Sequence, residues 1–139
     1  MVPSLISHIG IAVSDLNAAV QLYRTFLGVS PTSFREVPDQ KVGVAIFDTP
    51  ESGTSPGGRI ELLQATSDDS PIAQFIARRG EGLHHVCLCV DDIESKLSEL
   101  ERIGIRLIDK VPRIGADGHR IAFVHPSDTH GVLIELEER

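Results

Sequence analysis

Basic residues are in short supply in this chain. It has 13 Lys and Arg against 20 Asp and Glu, which gives a formal net charge of −7. Nucleic acids and anionic membranes both attract proteins with basic surfaces. We therefore expect neither nucleic acid nor a membrane surface as a partner, and an anionic small molecule would need a local group of cations.

Long apolar runs and cysteines are also scarce. No stretch approaches the roughly 20 apolar residues of a transmembrane helix, and residues 1–4 lead into a predicted strand with no signal or transit peptide. Cys87 and Cys89 are two positions apart, so their side chains share one face of a strand and a disulfide between them is not expected. These features predict a cytoplasmic protein in a reducing compartment.

The most informative feature present is an internal repeat. Residues 8–16 recur as residues 85–93, which lie 77 positions later (85 minus 8). The matching pairs are His8 and His85, Val13 and Val90, Asp15 and Asp92, and Leu16 and Ile93. A second pair of segments centres on Glu61 and Glu135, 74 positions apart (135 minus 61). Each half therefore opens with a strand that carries one His and closes with a strand that carries one Glu, and such a repeat decides the fold.

The sequence of each half predicts secondary-structure elements in the order βαβββ. Strands follow from alternating apolar and polar residues, and helices follow from N-caps at Asp15, Ser70 and Asp92 with an apolar stripe behind each cap. The predicted strands are residues 5–13, 34–37, 42–48 and 59–63, then 84–90, 106–111, 120–125 and 132–137. The run 49–58 predicts a loop because it is polar and rich in Gly and Pro.

The predicted fold class is α+β, with two tandem βαβββ modules that form a curved mixed sheet. We expect a single domain over residues 1–139, made of modules at about 5–66 and 82–139 joined by a short helix at 71–79. In each module one sheet face packs under its helix. The other face carries small and polar residues and is left open.

Four side chains on the open faces predict a metal site. If the modules pack about a pseudo-twofold axis, His8, Glu61, His85 and Glu135 all point into one concavity. A charged carboxylate among apolar neighbours is costly unless it is paired or liganded. Two imidazoles and two carboxylates suit a divalent ion such as Zn, Co, Ni, Mn or Fe. A lone His opening a strand is more often a core or surface residue, but two matched His/Glu pairs favour a metal.

Other polar residues have simpler interpretations. His84 is expected to be an exposed neighbour of His85, since it points to the opposite face. The cysteines are expected to be core residues rather than soft ligands. Asp15, Asp91 and Asp92 are interpreted as helix caps, and His125 and His130 as turn residues.

Several segments spread along the chain form a recognisable pattern. They are residues 8–13, 60–63, 69–73, 80–85 and 125–136. With the double repeat, they resemble the vicinal oxygen chelate superfamily (the glyoxalase/bleomycin resistance superfamily) and, within it, the methylmalonyl-CoA epimerases. The resemblance implies that His8, Glu61, His85 and Glu135 are the metal ligands. Some members of the family have Gln at the position of Glu61. Certain members place a second candidate base at the position of Val44, and this chain has no ionisable side chain there.

The implied reaction is epimerisation at the carbon between the thioester and the carboxylate of methylmalonyl-CoA. Glu135 is the first choice for an acid/base group and Glu61 the second. The resemblance also implies one divalent ion per chain (Co, Zn, Mn or Ni), a coenzyme A thioester substrate and a homodimer. Lys110, Arg113 and Arg120 are candidate cations for the substrate's carboxylate and phosphates.

Three alternatives belong to the same fold. A glyoxalase I, the lactoylglutathione lyase, has the same ligand types, but residues 62–66 after Glu61 do not resemble its usual continuation. A metal-free small-molecule binding protein would not need the complete ligand set. An extradiol dioxygenase would use three protein ligands, and this chain offers four.

Overall fold

A computed structural model describes residues 3–51 and 57–139. The central part of the loop predicted at 49–58 therefore lies outside the described residues. The chain divides into two compact units: His8–His84 forms one, and His85–Arg139 with the segment ending at Ser7 forms the other. Within the described ranges, no helix is long and apolar enough to cross a membrane.

The elements follow the predicted order. The strands are β1 (Leu5–Ala12), β2 (Ser33–Val37), β3 (Val42–Asp48), β4 (Arg59–Ala65), β5 (Gly82–Val90), β6 (Arg113–Ile114), β7 (Arg120–Val124) and β8 (Ile134–Glu138). The α-helices are α1 (Leu16–Leu27), α2 (Pro71–Arg79) and α3 (Ile93–Arg102). Short 3₁₀ helices lie at Pro38–Gln40 and Pro126–Asp128.

The strands of each unit pair in the same pattern. In the first half the order is β2-β3-β4-β1, with β1 parallel to β4 and the other pairs antiparallel. In the second half the order is β6-β7-β8-β5, with β5 parallel to β8 and the other pairs antiparallel. This equivalence confirms that the sequence repeat is a structural repeat of two βαβββ modules.

The predicted helix starts are confirmed by their caps. The side chains of Asp15, Ser70 and Asp92 each accept a hydrogen bond of 3.1 Å from a backbone N–H in the first turn of the helix that follows. A cap of this kind contributes about 1 kcal/mol to helix stability. α1 ends at Gly28, whose φ of 70° lies in the left-handed region that glycine tolerates best.

Each unit has its own apolar core between its sheet and its helix. The buried core of the first half consists of Val13, Val20, Ala45, Phe47 and Leu62. The buried core of the second half consists of Val90, Ile93, Leu97, Ala122, Val124 and Leu136. The alternation of apolar and polar residues predicted that these faces of the strands pack against the helices. The opposite faces carry the polar residues.

The prediction of a strand at residues 106–111 is wrong. Leu107 forms only an isolated bridge to Val124, and the short strand β6 comes later. Ile108 and Asp109 both donate to the Phe123 carbonyl, while the Asp109 carboxylate accepts from the Phe123 N–H at 2.9 Å. A side chain therefore takes the place of a backbone partner, which interrupts the ladder.

Candidate metal and active site

His8 and Glu61 meet on the open face of the first unit. His8 is on β1 and Glu61 on the neighbouring β4, and both are 4% exposed. His8 Nδ1 lies 3.3 Å from Glu61 Oε2. The register places Gly10 directly beside Glu61, so no side chain of that β1 residue competes for the space. Ile60 and Leu62 point into the core, and this alternation turns Glu61 to the open face.

The second unit contains the equivalent pair. His85 on β5 and Glu135 on β8 are both 6% exposed, and His85 Nε2 lies 3.5 Å from Glu135 Oε1. The Phe123 ring packs edge-to-face against the His85 imidazole, with centroids 5.8 Å apart. The two pairs occupy matching positions of the repeat, as the sequence predicted.

The donor atoms of each pair are spaced as metal ligands are. Two atoms bound to one ion at roughly 2.1 Å lie about 3.0–3.4 Å apart in octahedral or tetrahedral geometry. The observed nitrogen–oxygen distances of 3.3 and 3.5 Å are close to that range. Imidazole and carboxylate are donors that Zn, Mn, Co and Ni share. Each His–Glu pair therefore offers donor atoms of the type and spacing that a divalent ion requires.

Cys87 lies beside Glu135, and its thiol is protonated while no metal is bound. Its thiol is buried, and burial together with the negative charges of Glu135 and Glu137 raises its pKa far above the usual range. Only the thiolate is a strong metal ligand. Cys87 and Cys89 are both free of disulfides, which confirms the prediction for the pair.

The sequence analysis assigned no role to Glu137, a buried carboxylate on the same face of β8 as Glu135. It is 1% exposed. Its carboxylate accepts hydrogen bonds from Arg139 Nε at 2.6 Å and from Ser7 Oγ at 3.1 Å. His119 Nδ1 lies 3.5 Å from Glu137 and 3.0 Å from Asp117. Strict alternation after Glu135 was the signal that could have found it.

Arg59 is the second residue that the sequence analysis missed. It precedes Glu61 by two positions on β4 and so lies on the same face. Its Nη1 lies 3.8 Å from Glu61 Oε2, and its Nε donates to Asp48 Oδ1 at 3.0 Å. The Arg59 side chain is 19% exposed, so a guanidinium lies at the edge of the His8–Glu61 pair.

The cations proposed from the sequence take different positions. The Arg113 guanidinium lies over the Phe123 ring, 5.6 Å from its centroid, and Phe123 in turn contacts His85. Arg120 instead pairs with Glu94 of α3 and with Glu138, so it lies on the helix side of its sheet and not with the site. Lys110 is exposed and precedes β6.

His84 is not the exposed residue that was predicted. Its ring packs edge-to-face on Phe75 of α2, with centroids 4.9 Å apart. This burial lowers the pKa of His84 from 6.5 to about 4. The contact arises because α2 covers the end of the first module, which the local pattern around His84 does not reveal.

Val44 is buried on β3 and pairs with Leu63 of β4. A base at this position would share the open face with Glu61, since β3 residue Ile46 is directly opposite Glu61. In this chain the position is apolar, so Glu61 is the ionisable group nearest to it on β4.

Comparison with known proteins identifies the class. Residues 7–123 match the model of the glyoxalase/bleomycin resistance protein/dioxygenase superfamily. The chain belongs to this superfamily, and the vicinal oxygen chelate fold implied by the resemblance is confirmed.

Its relatives within that superfamily include named epimerases. The ethylmalonyl-CoA/methylmalonyl-CoA epimerase of Cereibacter sphaeroides is 38% identical, over 96% of this chain and 96% of the relative. A methylmalonyl-CoA epimerase solved with methylmalonyl-CoA and NH₄⁺ matches with a TM-score of 0.89 and 34% identity, covering 97% of this chain and 94% of that one.

A variant of the Streptomyces coelicolor methylmalonyl-CoA epimerase, solved with 2-nitronate-propionyl-CoA, also gives a TM-score of 0.89. It is 34% identical and covers 97% of this chain and 94% of its own. The resemblance to epimerases is therefore confirmed, and the chain is an enzyme of that kind.

Proposed function

We propose that this protein interconverts the two epimers of methylmalonyl-CoA with one divalent ion bound by His8, Glu61, His85 and Glu135. The observation that carries the proposal is the pair of buried His–carboxylate contacts, one in each module at matching repeat positions. Relatives with 34–38% identity that are named for this activity support the choice of reaction.

The reaction requires charge stabilisation at the thioester. Removal of the proton between the thioester and the carboxylate builds negative charge on the thioester oxygen. When bound, the ion supplies Lewis-acid stabilisation of that charge. The burial of all four proposed ligands supports this role, because electrostatic stabilisation is stronger where water is excluded.

Inversion also requires proton transfer on both faces of the α-carbon. We assign one face to Glu135 and the other to Glu61: one carboxylate accepts the α-proton and the other, as the acid, returns a proton to the opposite face. Each carboxylate has a second oxygen, so it can bind the ion and still take part in proton transfer. Val44 is apolar, which leaves Glu61 as our candidate for the second face.

The substrate choice tests the proposal directly. Purified metal-loaded protein is expected to exchange the α-proton of methylmalonyl-CoA with solvent deuterium, as followed by mass spectrometry. The matched substrate is the hemithioacetal of methylglyoxal and glutathione, which a glyoxalase I would convert. Faster conversion of the hemithioacetal than exchange of methylmalonyl-CoA would contradict the proposal and favour the lyase.

A further inference from the structure

Phe123 lies beside both members of the His85–Glu135 pair. On β7 it is directly opposite Glu135 of β8, so the two side chains share the open face. Its ring contacts the His85 imidazole, with centroids 5.8 Å apart and the two ring planes at 88°. Phe123 is only 9% exposed, and its side chain has no polar atom. It therefore borders the proposed metal site without offering a ligand.

The backbone of β5 does not by itself determine where the nitrogens of the His85 imidazole point. The strand directs the Cβ atom of His85 to the open face, but the χ2 torsion of histidine is broad and roughly two-fold. His85 Nε2 lies 3.5 Å from Glu135 Oε1. A half turn of the ring about χ2 would exchange Nε2 with a ring carbon, which cannot bind a metal. Ligation by this pair therefore requires one of the two ring orientations.

The contact with Phe123 opposes that half turn. Aromatic pairs favour the edge-to-face arrangement, and a rotating imidazole gives it up. The buried phenyl ring also occupies the space beside the imidazole, so the imidazole has to displace it in order to turn.

The irregular segment before β6 holds Phe123 in place. The Phe123 carbonyl accepts hydrogen bonds from the N–H groups of Ile108 at 2.9 Å and Asp109 at 3.2 Å, and its own N–H donates to the Asp109 carboxylate at 2.9 Å. The Arg113 guanidinium lies over the ring, 5.6 Å from its centroid, in a cation–π contact. The same Asp109 carboxylate is 3.6 Å from Arg113 Nη2. Both the backbone and the ring of Phe123 are thus restrained.

We propose that Phe123 is a positioning residue, which fixes the His85 imidazole with Nε2 toward Glu135 and so prepares it to bind the divalent ion. This inference rests on the proposed function, because it concerns a ligand that is assigned there. Asp109 and Arg113 act indirectly, since they hold Phe123.

A second Phe–His contact in the chain provides a matched control. Phe75 packs edge-to-face on His84 with centroids 4.9 Å apart, and His84 is not a proposed ligand. Two quantities are measured on the wild type, Phe123→Leu and Phe75→Leu. The first is the set of three-bond NMR couplings across the χ1 and χ2 torsions of both histidines, in isotope-labelled, metal-free protein. The second is the dissociation constant for Co or Zn, from titration against a competing chelator.

The wild type should show couplings of a single ring orientation for His85. In Phe123→Leu the couplings of His85 should be averaged, and the metal dissociation constant should rise about 3- to 10-fold, as for loss of one aromatic pair. In Phe75→Leu the couplings of His84 should change and those of His85 should not, while the dissociation constant stays within about twofold of the wild type. If Phe123→Leu does not fold, Phe123→Met removes the ring with a smaller loss of volume.

Three outcomes would overturn the inference: averaged His85 couplings already in the wild type, unchanged His85 couplings in Phe123→Leu, or a dissociation constant that rises no more in Phe123→Leu than in Phe75→Leu. The couplings require neither metal nor substrate, so they decide whether Phe123 orients His85 even if the wild type binds no ion. Failure of the proposed function appears separately, as absence of α-proton exchange in the wild-type protein.

Discussion

His84 should make the folded protein sensitive to acid. Its pKa is lowered from 6.5 to about 4 by burial against Phe75. The folded state therefore disfavours the imidazolium, while the unfolded chain binds a proton near pH 6.5. The contribution of His84 to the free energy of unfolding is therefore highest above pH 6.5, the pKa of His84 in the unfolded chain. It decreases as the pH falls toward about 4, the pKa of His84 in the folded protein.

The magnitude follows from the two pKa values. A shift of one pKa unit corresponds to about 1.4 kcal/mol, so the fall from 6.5 to about 4 sets an upper limit of roughly 3 kcal/mol. Because folding is linked to proton binding, roughly 2 kcal/mol of this free energy of unfolding should be lost between pH 7 and pH 5. His84 is half-buried and solvent screening reduces the effect, so we expect about 1–2 kcal/mol in this interval.

The assay is urea unfolding at pH 7 and pH 5 for wild-type protein, His84→Gln and the control His130→Asn. The quantity compared is the change in the free energy of unfolding between the two pH values. Between pH 7 and pH 5, the free energy of unfolding of the wild type and of His130→Asn should each fall by about 1–2 kcal/mol more than that of His84→Gln. Asn tolerates the positive φ of 59° at His130, which is exposed in a turn. Equal losses in all three proteins would refute the burial argument.

The remaining predictions concern the metal and the proton transfers. His85→Ala should sharply reduce the metal content measured by elemental analysis after reconstitution with Co, Zn or Mn and dialysis. The control Cys89→Ser, on the same strand, should keep the wild-type metal content. Wild-type protein that retains no metal after this treatment would contradict the proposed site. Glu135→Gln should keep an oxygen ligand but slow inversion by about 10²- to 10⁴-fold, as for loss of an acid/base group. Glu61→Gln should abolish inversion in both directions, while the α-proton of one epimer, the one that Glu135 deprotonates, still exchanges with deuterium. Inversion at the wild-type rate would restrict Glu61 to metal binding.

The repeat explains how much of the structure could be predicted from the sequence. Alternation placed His8 and Glu61 on the open face, and the offset of 77 (85 minus 8) carried that placement to His85. Helix starts were predictable because their caps bond to backbone groups only two or three residues away. Local and repeated patterns are read directly from one chain.

Features that depend on contacts distant in sequence were not predictable. The strand near 106–111 failed because Asp109 bonds to the backbone of Phe123, 14 positions later. Alternation puts Glu137 on the face of Glu135, but its contact with Ser7, 130 positions away, could not be predicted. Arg59 begins β4 as predicted, but its ion pair with Asp48 of β3 could not be predicted. Such networks compete with local preference, and only the folded chain shows which interaction is stronger.

Inversion of a single epimer of methylmalonyl-CoA in deuterium oxide tests the central claim most directly. Metal-loaded protein should convert one epimer into the mixture of both, with one deuterium at the α-carbon of each inverted molecule. Protein treated with a chelator should lose this activity, and added divalent ion should restore it. Inversion that persists undiminished after complete metal removal, or its absence from fully loaded protein, would contradict the account.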